Sequence, residues 1–282
     1  MGSGGRSNPS TSKTQYLHNN PFKLYSTMKY YLLFLSIVLC CVACTASEQC
    51  EGIRKIEAEQ NNQVSEPSNE TVKLSTITRI DTLDLKVFYP EFSKVDLVCG
   101  IMPSKEDESV MLVMAAAYTG QCLKEFKHSN IVGMHVSGGK LYNAVSNYGA
   151  FVYYNGKWKF VCKEQSNVKT QMQVAAQQGG AGFSQELLIY NGKIQKTNRG
   201  DKNKNLFRAL CQHNGRLCVI ESQTVLAFGD FKKKLQTYGV THAIYTDMGS
   251  GWNHAWYRSE TGIVELQPYK HPYCTNWITF YR

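Results

Sequence analysis

The chain has 282 residues, 31 of them Lys or Arg and 22 Asp or Glu, giving a formal net charge of +9. Beyond residue 50 there are 27 basic and 21 acidic residues, spread thinly and clustered only at 193–204 and 232–234. That distribution describes a solvated surface whose modest positive field suits an anionic substrate, and it excludes nucleic acid as the expected partner.

Residues 1–27 are rich in Ser, Asn, Gly and Thr and read as an upstream extension or mis-start, outside the folded part. From Met28 the chain runs MKYYLLFLSIVLCCVAC, one lysine followed by a fourteen-residue apolar run over 30–43. That run is too short to cross a bilayer as a helix and has the layout of a signal peptide. Val42-Ala43-Cys44 looks like a bacterial lipobox, with Cys41 at the position where leucine is usual; in such a signal Cys44 is lipidated and becomes the mature N-terminus. The other reading is an ordinary signal with a chance cysteine. Residues 28–44 are thus assigned as a lipoprotein signal, and the polar stretch 45–73 as a flexible linker lifting a domain off a membrane surface. The Asn69-Glu70-Thr71 sequon matters only in a eukaryotic secretory pathway, which a lipobox argues against.

Residues 74–282 are long enough for one domain with a sizeable core. STITRIDTLDLKVFYP and VDLVCGIMP each read as a strand, and SVMLVMAAAY as a buried strand or short helix. Gly138-Gly139 and Asn155-Gly156 mark two hairpins, NVKTQMQVAAQQGG a short helix, and SQELLIYNGKIQ a strand entering a turn at Asn191. RALCQHNGRLCVIES is a hairpin about Asn214-Gly215 that sets His213 opposite Arg216, Gln212 opposite Leu217 and Cys211 opposite Cys218. Cross-strand neighbours lie within disulfide reach, so Cys211 and Cys218 are either a disulfide or two buried thiols. Val225, Phe228, Phe231, Leu235 and Tyr238 fall at helical spacing, with Ser222 as the expected cap and Gly239 as the stop. VTHAIYT and TNWITFYR close the pattern as strands. The expected fold class is α+β, a single β-rich domain of mixed sheets and hairpins with two or three helices. Seven cysteines remain outside the signal, and none has zinc-site spacing, so no metal or other cofactor is expected.

The sequence YTDMGSGWNHAWYR follows the VTHAIYT strand and places Asp247 at its C-terminal end, where loops commonly carry function. The glycines allow the backbone to approach a ligand and expose N–H groups to an anion, and Trp252 and Trp256 offer faces for a sugar ring. His254 is a phosphate donor or proton shuttle. Equally, Asp and Gly are turn residues and both tryptophans can belong to a core. A serine-hydrolase reading fails for want of a G-x-S-x-G elbow. A Cys274–His271 pairing is open, as is a disulfide at Cys274.

The block LFRALCQHNGRLCVIES, then a helix, then GVTHAIYTDMGSG, resembles the second half of the phosphodiester glycosidase family. The matching positions are Arg208 opening a strand, the Asn214-Gly215 turn, the helix over 225–238, the loop 247–251 and Asn276 in the last strand. Upstream, GFSQELLIYNGK resembles a strand-and-turn segment of the family at Gln185, Leu188 and Gly192. The chain departs from the family in lacking an asparagine in AAAYTG, in Glu186 following Gln185, and in DMGSGW where DGGGS is usual; these imply a shifted substrate or a lost activity.

The likeness is strongest to an exported, lipoprotein-type branch found in Bacteroidetes. It implies hydrolysis of a sugar-1-phosphodiester or related glycan by a protein lipid-anchored in the bacterial envelope, in the periplasm or at the cell surface. Arg208 would hold the phosphate, and Asp247 would act as base or sugar-hydroxyl acceptor. Glu186 would be a second carboxylate. His254 and the amides of Gly249, Ser250 and Gly251 would contact the anion. Trp252, Gln185 and Asn276 would stack on or position the substrate. The alternative function is a non-catalytic carbohydrate- or envelope-binding lipoprotein of the same fold.

Overall fold

Three short connections set most of the architecture. At Asn155-Gly156, Asn191-Gly192 and Asn214-Gly215 both residues have positive φ, near +50° for each asparagine and +70° for each glycine. That is the mirror-image turn whose twist matches paired strands, so the Asn155 and Asn214 sites fold into the hairpins expected for them and the turn expected at Asn191 pairs its flanks as a hairpin too. The computed structural model describes residues 77–119, 130–142, 144, 148–249, 253–267 and 274–282. The signal, linker and Cys44 expectations lie outside these residues, as do Ser250, Gly251, Trp252 and His271.

The described residues hold nineteen strands and two ten-residue helices, which corrects the α+β expectation to a mostly β fold with four sheets. A seven-stranded antiparallel sheet runs in the order β1 (Ile77–Thr82), β2 (Leu85–Pro90), β14 (Arg216–Ser222), β13 (Arg208–His213), β16 (His242–Thr246), β10 (Leu187–Tyr190), β11 (Lys193–Ile194). A five-stranded sheet follows the order β18 (Gly262–Gln267), β17 (Ala255–Ser259), β4 (Val110–Ala115), β19 (Asn276–Tyr281), β3 (Lys94–Cys99). The third has β6 (Lys140–Tyr142), β5 (His135–Ser137), β9 (Ala181–Gln185), β7 (Gly149–Tyr154) and β8 (Lys157–Val161). A two-stranded ribbon pairs β12 (Lys204–Asn205) with β15 (Leu226–Ala227). Among the described residues no helix is long and apolar enough to cross a membrane.

The inner strands of the seven-stranded sheet, β2, β14, β13, β16 and β10, are buried at most positions on both faces, whereas the edge strands β1 and β11 are largely exposed. One face gives Phe88, Leu210, Val219 and Ile244 to a core shared with Leu112, Ile278 and Phe280 of the second sheet and Phe151 and Phe183 of the third. The other face packs Ala209, Cys211, Cys218, Ile220 and Tyr245 against Phe228, Phe231 and Leu235 of helix α2 (Phe228–Thr237). Helix α1 (Val168–Gln177) lays Met172 and Ala175 on the third sheet, and Asn167 caps it by accepting from the Thr170 amide at 3.1 Å.

Several local expectations change. STITRIDTLDLKVFYP is a hairpin, β1–β2, turning through Leu83 and Asp84 at φ +50° and +59° without a glycine. The Asp84 carboxylate accepts from Lys234 at 2.9 Å and its carbonyl from the Gln223 amide at 2.8 Å, which anchors that uncommon backbone. SVMLVMAAAY is strand β4, buried at all six positions, so no alternation was available to identify it. Helix α2 begins at Phe228, six residues after Ser222. The Ser222 hydroxyl accepts from the Phe207 amide at 2.9 Å, Leu226 and Ala227 pair with β12, and Ala227 is the N-cap. The Cys211 hairpin keeps the predicted register, with both cysteines fully buried free thiols. Burial raises both thiol pKa values well above the ordinary range.

Candidate functional site

At one end of the seven-stranded sheet, four strands deliver four charged residues side by side. Glu221 lies in β14 opposite Arg208 at the start of β13, and Arg208 lies opposite Thr246, the residue before Asp247 at the end of β16. On the next strand Leu187 pairs with Ile244, so Glu186 lies just before β10. Glu186 is a corner residue: β9, ending at Gln185, belongs to the third sheet, and β10, starting at Leu187, to the seven-stranded one.

Arg208 has no exposed surface. Its Nε and Nη2 donate to Glu221 Oε2 at 3.0 and 2.5 Å, and its Nη1 to the Asn253 carbonyl at 3.1 Å. Glu221 Oε1 also has Lys86 Nζ at 3.5 Å. The guanidinium is therefore engaged with the protein itself, tying β13 and β14 to the segment that precedes β17.

Asp247 is 7% exposed, and burial pushes its carboxyl up to about 6. The Gly249 amide, donating to Oδ1 at 3.0 Å, and the positive charges of Arg199 and Arg208 restrain that rise. Arg199 is the residue that sequence reasoning missed, absorbed into the basic run 193–204. Its Nη2 donates to the Tyr118 hydroxyl at 3.0 Å, and its guanidinium lies 4.9 Å from the Tyr245 ring centroid and 5.6 Å from that of Phe228. Its buried Nε has no hydrogen-bond partner among the described residues. Tyr118 and Tyr245 pack at 5.9 Å, and burial raises the Tyr118 phenol to about 12.

The loop bearing Arg199 is held from two sides. Glu186 Oε1 accepts from the Asn198 and Arg199 amides at 2.8 and 3.1 Å. Buried Lys232 of α2 reaches Asp201 Oδ1 at 2.7 Å and Thr197 Oγ1 at 3.2 Å. Glu186 is itself 4% exposed, and its Oε2 is buried without a partner among the described residues. Gln185 turns its side-chain oxygen to the Glu186 amide at 3.0 Å and supports the corner.

The remaining candidates converge on three alanines, Ala115 to Ala117, at the end of β4. Ala115 N–H donates to the His254 carbonyl at 3.2 Å, and the Ala116 carbonyl accepts from the Asp247 amide at 2.8 Å. The Asn276 side chain brackets Ala117, accepting from its N–H at 2.7 Å and donating to its carbonyl at 3.0 Å and to that of Asn130 at 3.0 Å. His254 is buried with Nδ1 donating to the Gln267 carbonyl. Trp256 has no exposed surface and packs with Val113 and Trp277, so that tryptophan belongs to a core. Gly249 offers its amide to Asp247, as described above. Among the described residues no group of three or more His, Cys, Asp or Glu is placed to hold a metal ion.

No protein-family model matches the chain, and no curated protein matches it. Solved structures do. The catalytic domain of zebrafish N-acetylglucosamine-1-phosphodiester alpha-N-acetylglucosaminidase, auto-inhibited by its pro-peptide, is similar at TM-score 0.50 and 13% identity, over 73% of this chain and 81% of that one. A hypothetical protein from Synechocystis is similar at TM-score 0.52 and 9% identity, over 73% of this chain; the chain spans 61% of that protein's length. At these identities the likeness is one of fold: the chain shares, distantly, the architecture of a phosphodiester glycosidase catalytic domain.

Proposed function

We propose that the protein is a hydrolase cleaving a sugar-1-phosphodiester or related glycan linkage, with Asp247 as its carboxylate and Arg199 as its anion-binding cation. One observation carries this reading. A buried carboxylate with its pKa raised to about 6 shares a tyrosine-lined cluster with a guanidinium that has an unused donor. Active sites concentrate such perturbed and under-satisfied groups. In this reading the half-buried Arg199 guanidinium binds a phosphate oxygen, taking the role first assigned to Arg208. Ionised Asp247 removes a proton from water as it attacks the anomeric carbon. The C–O bond breaks, and the phosphate leaves as a monoester without needing strong general-acid help.

Turnover of a chromogenic sugar-1-phosphodiester is the direct measurement. Asp247→Asn should lower kcat by about 10²-fold or more, Arg199→Ala should raise KM, and the wild-type rate should climb with pH through about 6 as Asp247 ionises. Equal rates for wild type and Asp247→Asn, or none across a broad panel, would overturn the catalytic claim. The non-catalytic sugar-binding reading draws its support from the engagement of Arg208 and His254 with protein partners. Export and lipidation at Cys44 belong to the proposal on the strength of the 28–44 pattern, and mass spectrometry of the mature N-terminus tests them.

A further inference from the structure

Where this chain turns through two positive φ angles in succession it uses Asn-Gly three times and Gly-Gly once, but the β1–β2 turn uses Leu83-Asp84. Leucine in that region brings its Cβ against the following carbonyl, so the hairpin tip carries strain that asparagine or glycine would relieve. The Leu83 side chain does not offset the strain by packing, because it is 47% exposed. Ile80 on the same hairpin is 42% exposed and Val225 is 63% exposed. Val225 lies two residues beyond Gln223, which is fastened to the hairpin by its amide on the Asp84 carbonyl (2.8 Å) and its side chain on the Leu85 carbonyl (3.2 Å). Three of the six large apolar side chains exposed among the described residues thus belong to one corner, and a grouped exposure marks a surface that meets a partner.

The charge around this corner narrows the partner. Asp84 is matched by Lys234 at 2.9 Å, Asp230 by Lys233 at 3.7 Å, Asp201 by Lys232 at 2.7 Å and Asp81 by Arg79 at 2.7 Å. Lys202 and Lys204 are exposed surplus, with no acidic partner among the described residues, and Lys204 pairs with Ala227 in the ribbon that Val225 leads into. A second copy of the chain would set the same two lysines against them, so like charge opposes a self-paired interface. Apolar side chains projecting beside surplus lysines match a bilayer with anionic headgroups, where the tip enters the acyl boundary and the lysines stay at the headgroups. The course of the chain agrees, since the linker proposed to run from a lipid-bearing Cys44 leads into Ile77, the first residue of β1. We propose that the Leu83 tip, with Ile80, Val225, Lys202 and Lys204, is a docking surface for an anionic phospholipid bilayer. This goes beyond the anchor reading, because docking of the folded domain is measured whether or not Cys44 bears a lipid.

The test is amide hydrogen exchange of the full chain, read by mass spectrometry, with and without vesicles of phosphatidylglycerol or of phosphatidylcholine. Phosphatidylglycerol should slow exchange over 80–86 and 223–227 and leave the Asn214-Gly215 turn, at the far end of the sheet, unchanged. Phosphatidylcholine should slow it less. Leu83→Asn suits the turn, so its melting temperature should rise while the lipid-dependent slowing falls at least about fivefold, the effect of removing one leucine from apolar surroundings. Lys202→Glu with Lys204→Glu should cut the slowing on phosphatidylglycerol by a similar factor and leave that on phosphatidylcholine as it is. A chain that sediments with vesicles while exchange at the hairpin stays unchanged overturns the proposal, because its anchor alone then holds it. Equal slowing in wild type and Leu83→Asn overturns it too, and so does equal slowing by the two lipids. Slowing that appears without lipid as protein concentration rises also overturns it, because a second copy then covers the corner. Failure of the anchor reading looks different: vesicles slow the hairpin although mass spectrometry finds no lipid on Cys44.

Discussion

Arg208 and Arg199 lie at the same end of one sheet and differ in how completely their donors are used. Arg208 places three nitrogens on Glu221 and the Asn253 carbonyl, whereas Arg199 places one on Tyr118, lies against aromatic rings, and leaves Nε unmatched. Their carboxylates differ in the same way: Glu221 is paired at 2.5 Å, while Asp247 is held by one amide and more distant charge. A fully matched buried pair is what a fold uses to fix its own geometry, and an under-matched one is where a ligand completes the set.

The sharpest way to break that contrast is to remove each arginine. Arg208→Ala strands Glu221 in the interior and should cost about 3–5 kcal/mol in urea unfolding, tempered by Lys86 at 3.5 Å. Replacing both partners, Arg208→Met with Glu221→Leu, should recover most of the loss. Arg199→Ala should cost far less stability, and losses of equal size would erase the distinction.

The next effect has the opposite sign. The folded-state pKa of Asp247, about 6, lies above the ordinary carboxylate value, so the folded chain binds more protons than the unfolded one between about pH 4 and 6. Its favourable contribution is present below that window and is lost as pH rises through it. Asp247→Asn does not titrate, so it should be more stable than wild type by about 2–3 kcal/mol at pH 8 and nearly equal to it at pH 4. Thermal melts at the two pH values check this, and a variant less stable at pH 8 would contradict the burial argument. The smallest effect is that of Tyr118→Phe, which removes the hydroxyl from Arg199 at a cost of about 1 kcal/mol and should alter KM more than kcat.

Local turn chemistry was readable from the sequence, and long-range matching was not. Asn155-Gly156, Asn191-Gly192 and Asn214-Gly215 declare themselves because few other pairs accept two positive φ angles in succession. Asp247 at a strand end could be located for the same local reason. The register of β13 against β16, which brings Arg208 and Asp247 to one end, joins segments some forty residues apart, and no short pattern encodes it. Arg199 could not be singled out because its loop takes its shape from Glu186 and Lys232, residues distant in sequence. Glu221 looked like one more position of an alternating strand, and its meaning appears only with Arg208 opposite. The β17–β18 hairpin went unread, since its turn at Glu260-Thr261 lacks an Asn-Gly signature.

The alanines at 115–117 carry a consequence for variation. They meet Asp247 and His254 through main-chain atoms and Asn276 through its amide, and all three are nearly or wholly buried. Main-chain bonds do not depend on which side chain follows, so the anchor of Asp247 on Ala116 does not depend on the side chains of the loop beyond it. What cannot change is the girth of the alanines: a valine or leucine at 116 would wedge β16 away from the second sheet. The alanines thus fix where Asp247 and His254 stand through backbone alone, and their small size is the condition for it.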